Sequence, residues 1–155
     1  MSQSLSNVLL HLIYSTKNRE KFISNVRLRN ELYAYTSSAL NSMGCSCIIA
    51  GGTSDHIHIL FAMTRTESIS DVVKHIKKET SKWLKTKSLN YDQLLSKFSW
   101  QTGYAVFSVS ASQKNKVISY INGQEKHHKT MVFKDELLAF LKKYEIECDE
   151  KYLWD

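Results

Sequence analysis

Four side chains of types that can do chemistry come as two spaced pairs. His56 and His58 lie in Asp55-His-Ile-His-Ile-Leu-Phe-Ala62, and Tyr120 and Gln124 lie in Val117-Ile-Ser-Tyr-Ile-Asn-Gly-Gln124. The first segment reads as a strand, whose period of two puts both imidazoles on one face and Ile57 and Ile59 on the other. The second has apolar residues at 117, 118 and 121, a helical spacing that makes Tyr120 and Gln124 i,i+4 neighbours on one side. Paired imidazoles can hold a divalent metal, an amide oxygen can complete its shell, and a phenol can act as nucleophile. That inventory suits the cutting of a phosphodiester bond.

Each pair also has an ordinary reading. Strand histidines spaced this way are more often structural than ligating. Here the Gly51-Gly52 turn, Asp55 and the alternating isoleucines favour a core face of apolar residues and an opposite, potentially active face for the imidazoles. A tyrosine at the edge of an apolar helical stripe commonly packs its ring and leaves its hydroxyl wet. His127 and His128 can serve as ligands or substrate contacts, but the simpler expectation is a frayed helix end with exposed imidazoles.

The elements that must position these residues follow from patterning. Val8–Ser15 is a continuous β-prone run, as expected of a central strand covered on both faces. A helix is predicted over 25–43, with Leu28, Leu32, Tyr35, Ala39 and Met43 on one side and Gly44 as its terminator. Residues 45–50 and 56–63 read as a hairpin across the 51–55 turn. A second helix is predicted over 68–85, and 88–97 is weakly patterned. Trp100–Val109 supplies a fourth strand, and Ser112 can cap the tyrosine helix. A last helix over 134–144 carries Leu137, Phe140, Leu141 and Tyr144. The order β-α-β-β-α-β predicts an α+β, ferredoxin-like fold: a four-stranded antiparallel sheet with helices on one face, plus an extra C-terminal helix. Many activities use that arrangement, so it says nothing of function by itself.

The 155 residues are expected to form one domain over 1–155, with no repeat, linker or proline to mark a boundary. A net charge of +6 favours an anionic partner, nucleic acid ahead of acidic lipid. No run approaches the ~18 apolar residues of a membrane span, so no membrane partner is expected. The amino terminus lacks the pattern of a signal peptide. Three cysteines are too few, and odd in number, for a secreted disulfide framework. The expectation is reduced thiols in a cytoplasmic, nucleoid-associated protein. A zinc site at Cys45-x-Cys47 has no second pair to complete it.

Four ordered blocks carry a resemblance: His11-Leu-Ile-Tyr-Ser-Thr-Lys-Asn-Arg-Glu20, Gly51-Gly-Thr-Ser-Asp-His-Ile-His-Ile-Leu60, Trp100-Gln-x-Gly-Tyr104 and Tyr120-Ile-Asn-Gly-Gln124. In order and spacing the chain resembles the single-tyrosine HUH transposases of the insertion-sequence 200/605 type, including their repeat-associated relatives. The tail, Gln124-Glu-Lys-His-His128 through Tyr152-Leu-Trp-Asp155, is also similar to some branches. The resemblance implies that His56, His58 and Gln124 bind a divalent metal, Mg2+ or Mn2+, and that Tyr120 is the nucleophile. It implies single-stranded DNA beside an imperfect hairpin as substrate, with a 5′-phosphotyrosine intermediate and strand rejoining. It further implies a homodimer, in several members with the tyrosine helix of one subunit completing the histidine site of the other.

Residues for DNA binding are less sharply marked. Lys74, Lys77, Lys78, Lys82 and Lys85 ride away from the apolar side of the second helix, as a solvated face or as a phosphate track. Lys17 and Arg19 are candidates for the same task. Tyr104 and Trp100 can stack bases, though core packing is the stronger expectation for Trp100. Two other readings stand beside strand transfer: a domesticated DNA-hairpin-binding module without mobilising activity, and a hydrolase whose metal activates water while Tyr120 is structural.

Overall fold

A computed structural model describes residues 2–154, which leaves Asp155 of the family-like tail outside the described residues. Its strands are β1 (Leu9–Ser15), β2 (Ser46–Gly52), β3 (His56–Ala62) and β4 (Ala105–Val109). Its helices are α1 (Val26–Ser42), α2 (Ile69–Thr86), α3 (Lys114–Asn122), α4 (Gln124–His127) and α5 (Phe133–Lys143). The strands form one antiparallel sheet in the order β2-β3-β1-β4, the ferredoxin-like arrangement expected from the element order. Central β1 is buried at all seven positions, as expected of its continuous β-prone run.

Alternation along β1 and β3 divides the sheet into two faces. Leu10, Leu12, Tyr14, Ile57, Ile59 and Phe61 join Leu28, Leu32, Ile76 and Leu84 in the main core beneath α1 and α2. The other face carries Leu9, Ile13, Leu60 and Phe107, packed against Ile121 of α3 and Phe133, Leu137 and Leu141 of α5. The second face, which also holds the histidines, is therefore roofed by the C-terminal helices. Helix starts follow local chemistry: the Asn25 side chain accepts from the Leu28 amide, and Ser68 from the Asp71 amide. Gly44, at φ 79°, provides the left-handed turn that releases the chain from α1.

Two local expectations change. The fourth strand begins at Ala105 rather than Trp100, because the Gln101 side chain replaces a ladder partner by accepting from the Ser15 amide at 2.7 Å. Only an isolated bridge links Trp100 to Thr16. Ser112 does not cap α3: it lies in a 3-10 turn, 111–113, that leads directly into the helix.

Candidate active site

His56 and His58 stand on β3 opposite Ser15 and Ile13 of β1, facing the C-terminal roof. Both are almost wholly buried, at 1% and 0% exposure. Side chains from the preceding turn orient His56, whose Nδ1 lies 2.8 Å from Asp55 Oδ1 and 3.0 Å from Thr53 Oγ1. His58 Nδ1 meets Nε2 of buried His11, from β1, at 2.8 Å. These contacts occupy the Nδ1 atoms and aim both Nε2 atoms at a common point, as outer partners do in metal sites.

Glycine at position 51 lets α3 approach that point. A Cβ there would lie 2.8 Å from the Ile121 carbonyl oxygen, so even alanine would press on the helix backbone. Tyr120, one residue before Ile121, thereby comes over the histidine face. Gln124 begins α4 after a break at Gly123, so it and Tyr120 do not share one continuous helix. They still converge: Gln124 Oε1 is 3.2 Å from His56 Nε2 and 2.9 Å from His128 Nε2.

Glu136 of α5, 2% exposed, sits in the middle of this group. Its Oε1 is 2.9 Å from His58 Nε2 and 4.0 Å from His56 Nε2. Its Oε2 is 3.0 Å from His127 Nε2 and 3.1 Å from His128 Nε2, and accepts a hydrogen bond from the Tyr120 hydroxyl. His56, His58, His128 and Glu136 each offer a ligand atom, all within 4.8 Å of one another, an arrangement that could hold a metal ion. His127 and His128 are thus not the exposed imidazoles expected of a frayed end; the carboxylate draws both inward.

The electrostatics follow from burial and this one carboxylate. Burial lowers the pKa of His11 to about 3 and of His58 to about 4, so both rings are neutral near pH 7. Burial works to raise Glu136, but hydrogen bonds with His128 and His58 outweigh it and hold the carboxyl well below its usual range. Glu136 likewise raises His128 despite burial. Burial and then Glu136 push the Tyr120 phenol above its ordinary value, which keeps it protonated near pH 7.

The expected DNA-contacting residues fall in different places. Lys74, Lys78, Lys82 and Lys85 are exposed on α2, across the sheet from the histidines. Lys77 is engaged: its Nζ donates to the carbonyls of Gln101 at 2.9 Å and Gly103 at 2.6 Å. Lys17 is exposed, and Arg19 lies 4.8 Å from the centre of the Trp154 ring. Arg19 also lines a cavity of about 680 Å³ with Lys21, Lys129 and His128, on the histidine side. Trp100 is core, donating from Nε1 to Thr80 Oγ1, whereas Tyr104 is 40% exposed. Cys45, Cys47 and Cys148 are free, and none belongs to the histidine cluster.

The family model for IS200-like transposases matches residues 4–124. No curated protein matches the chain. Among solved structures, a candidate transposase from Deinococcus radiodurans R1 is 21% identical, with a TM-score of 0.60 over 80% of this chain and 98% of that one. A REP-associated tyrosine transposase bound to a REP hairpin is 13% identical, with a TM-score of 0.57 over 83% and 74%. At these identities the likeness is one of fold. His128 and Glu136 lie beyond the matched segment.

Proposed function

We propose that this chain, which belongs to the IS200-like transposase family, cuts and rejoins single-stranded DNA through a covalent bond to Tyr120. The observation that carries the reading is the convergence of the Tyr120 hydroxyl, His56, His58 and Gln124 around one buried point, within a single chain. In this reading the 155 residues work as one catalytic unit, and no exchange of α3 between subunits is needed. Pairing into a homodimer then serves to hold two DNA ends together.

The donor set fits a divalent cation. Three imidazole nitrogens and a carboxylate oxygen lie within 4.8 Å of one another, with the Gln124 amide oxygen beside them. Imidazole favours manganese over magnesium, and the carboxylate admits either. The ion would be held by His56 and His58 with Gln124, and by His128 or Glu136. When bound it would polarise a non-bridging phosphate oxygen, offset the Glu136 charge and ease deprotonation of the phenol.

The chain's own groups do the rest. His11, Asp55 and Thr53 hold the two strand imidazoles in orientation, and Glu136 Oε2 accepts the Tyr120 proton as the phenolic oxygen bonds to phosphorus. The P–O3′ bond breaks, the departing 3′-oxygen takes a proton from water while Glu136 returns its own to solvent, and the products are a 5′-phosphotyrosine and a free 3′-hydroxyl. No nucleotide is consumed, because the phosphotyrosine bond conserves the energy of the cut for rejoining.

A denaturing-gel trapping assay tests this. Labelled single-stranded libraries carrying imperfect hairpins, suggested by the hairpin-bound relative, meet wild type and Tyr120→Phe with Mn2+, with and without chelator. The expected result is a protease-sensitive, slow-migrating adduct with wild type and metal only. DNA binding without any adduct would support the hairpin-binding module instead; free cleaved product from both proteins would support the hydrolase.

A further inference from the structure

Two cavities open on either side of the histidine cluster, and their linings differ in kind. One, described above, is edged by Arg19, Lys21 and Lys129 and ends at His128. The other, of about 810 Å³, lies between α3 and α5 and ends at Tyr120, His127 and Glu136. It is walled by Val117, Phe140 and Tyr144, and Lys116 and Lys143 stand on its lining. Its volume falls within the roughly 300–1,000 Å³ of small-molecule sites. Tyr144 stacks on Phe107 with ring centroids 4.6 Å apart, and its hydroxyl donates to the Ser108 carbonyl at 3.4 Å, so the ring is held in place. It nonetheless remains 37% exposed.

We propose that the α3–α5 groove is a subsite for an unpaired nucleobase of the substrate strand, the one whose 5′-phosphate Tyr120 attacks. This rests on the strand-transfer reading and deepens it. Attacking and leaving oxygens stand on opposite sides of phosphorus in a displacement. Tyr120 attacks from the groove side, so the 3′-hydroxyl strand departs toward the Arg19–Lys21–Lys129 cavity. The nucleotide that stays joined to Tyr120 remains beside the groove. There, aromatic and apolar walls suit the face of a base, and the two lysines suit the phosphates flanking it. An apolar groove without cations would fit a peptide or a lipid chain; a basic one without aromatic walls would follow the backbone alone. The pairing of both selects a single-stranded nucleotide.

The test measures anisotropy of two fluorescein-labelled probes: a twelve-residue oligothymidylate, and a twelve-residue abasic strand with the same charge. Tyr144→Ala should weaken binding of the thymidylate about tenfold, the loss of one stacked base. It should leave the abasic probe within about twofold, and Tyr144→Phe should restore thymidylate binding. Ala139→Trp, at an exposed groove position, fills the groove without touching the core and should reproduce the selective loss if Tyr144→Ala fails to fold. Equal losses on both probes, or none, would overturn the subsite. So would a change in oligomeric state by light scattering in Ala139→Trp, which would make the groove a contact between copies. Failure of the parent reading looks different: wild type then binds with base selectivity that the groove variants abolish, yet forms no adduct in the trapping assay.

Discussion

Replacing His11 by phenylalanine should change how many protons the protein takes up on unfolding, and by how much can be worked out from the burial of two rings. In the folded protein His11 titrates at about 3 and His58 at about 4, against 6.5 for an exposed imidazole. Both folded pKa values lie below the unfolded one, so the stability these rings contribute is full above pH 6.5. It is lost as pH falls toward 4, where the unfolded chain binds protons that the folded one refuses. Between roughly pH 4 and 6 each ring adds about 1.4 kcal/mol per pH unit to the slope of stability against pH. Phenylalanine at position 11 removes one of the two, so the slope should fall by about that amount. Near pH 7 a second effect shows. His58 Nε2 faces the Glu136 carboxylate and so carries the ring proton, which leaves Nδ1 to accept from His11 Nε2. Without His11 that buried acceptor is unpaired, a cost of about 1–3 kcal/mol. Urea unfolding of both proteins at half-unit pH steps from 4.5 to 7, with chelator present, measures both quantities. An unchanged slope would refute the reasoning, since it would mean that His11 is charged or wet in the folded state.

Three further substitutions separate structure from function. Gly51→Ala should leave the main core intact but push α3 outward, because the added Cβ meets Ile121 O at 2.8 Å and Ile121 Cγ2 at 2.9 Å. We expect a stability loss of about 1–3 kcal/mol by urea unfolding and a much larger loss of adduct in the trapping assay. Lys77→Met should destabilise the protein, since its Nζ holds the 101–103 carbonyls and burial already lowers its pKa to about 8. It should leave the salt dependence of DNA binding unchanged, whereas exposed Lys78→Ala should do the reverse if α2 is a phosphate track. Unfolding curves and salt titrations of the two variants tell these cases apart.

Much of the fold could be read from local pattern because the sheet's two faces impose a strict period. Ile57, Ile59 and Phe61 alternate with His56, His58 and Leu60, and only one register buries the first set beneath α1 and α2. The continuous β-prone run of β1 marked a centre strand because both its faces are covered. The start of β4 was not legible. Nothing in the pattern of Trp100–Tyr104 says that a glutamine side chain will stand in for a strand partner, or that Lys77 will tie the loop from 24 residues away in sequence.

The site was half legible for a related reason. Residues that meet because they share an element announce themselves by spacing, as His56 and His58 do. Residues that meet because elements pack do not, and His11, His128 and Glu136 reach the cluster from three separate segments. Glu136 did leave one signal. It lies three residues after Phe133 and four before Phe140, on the side of α5 that carries the apolar stripe, where a carboxylate cannot stay unpartnered. A charge on a buried face requires partners of opposite charge or good hydrogen-bond donors, and His127 and His128, on the segment leading into α5, are donors of that kind. Reading the acidic residue against the stripe, rather than reading the histidines alone, would have turned both imidazoles inward. The same logic explains why α5 lies over the sheet: its apolar side covers Ile13 and Phe107, and its one buried carboxylate is satisfied only where the strand histidines stand.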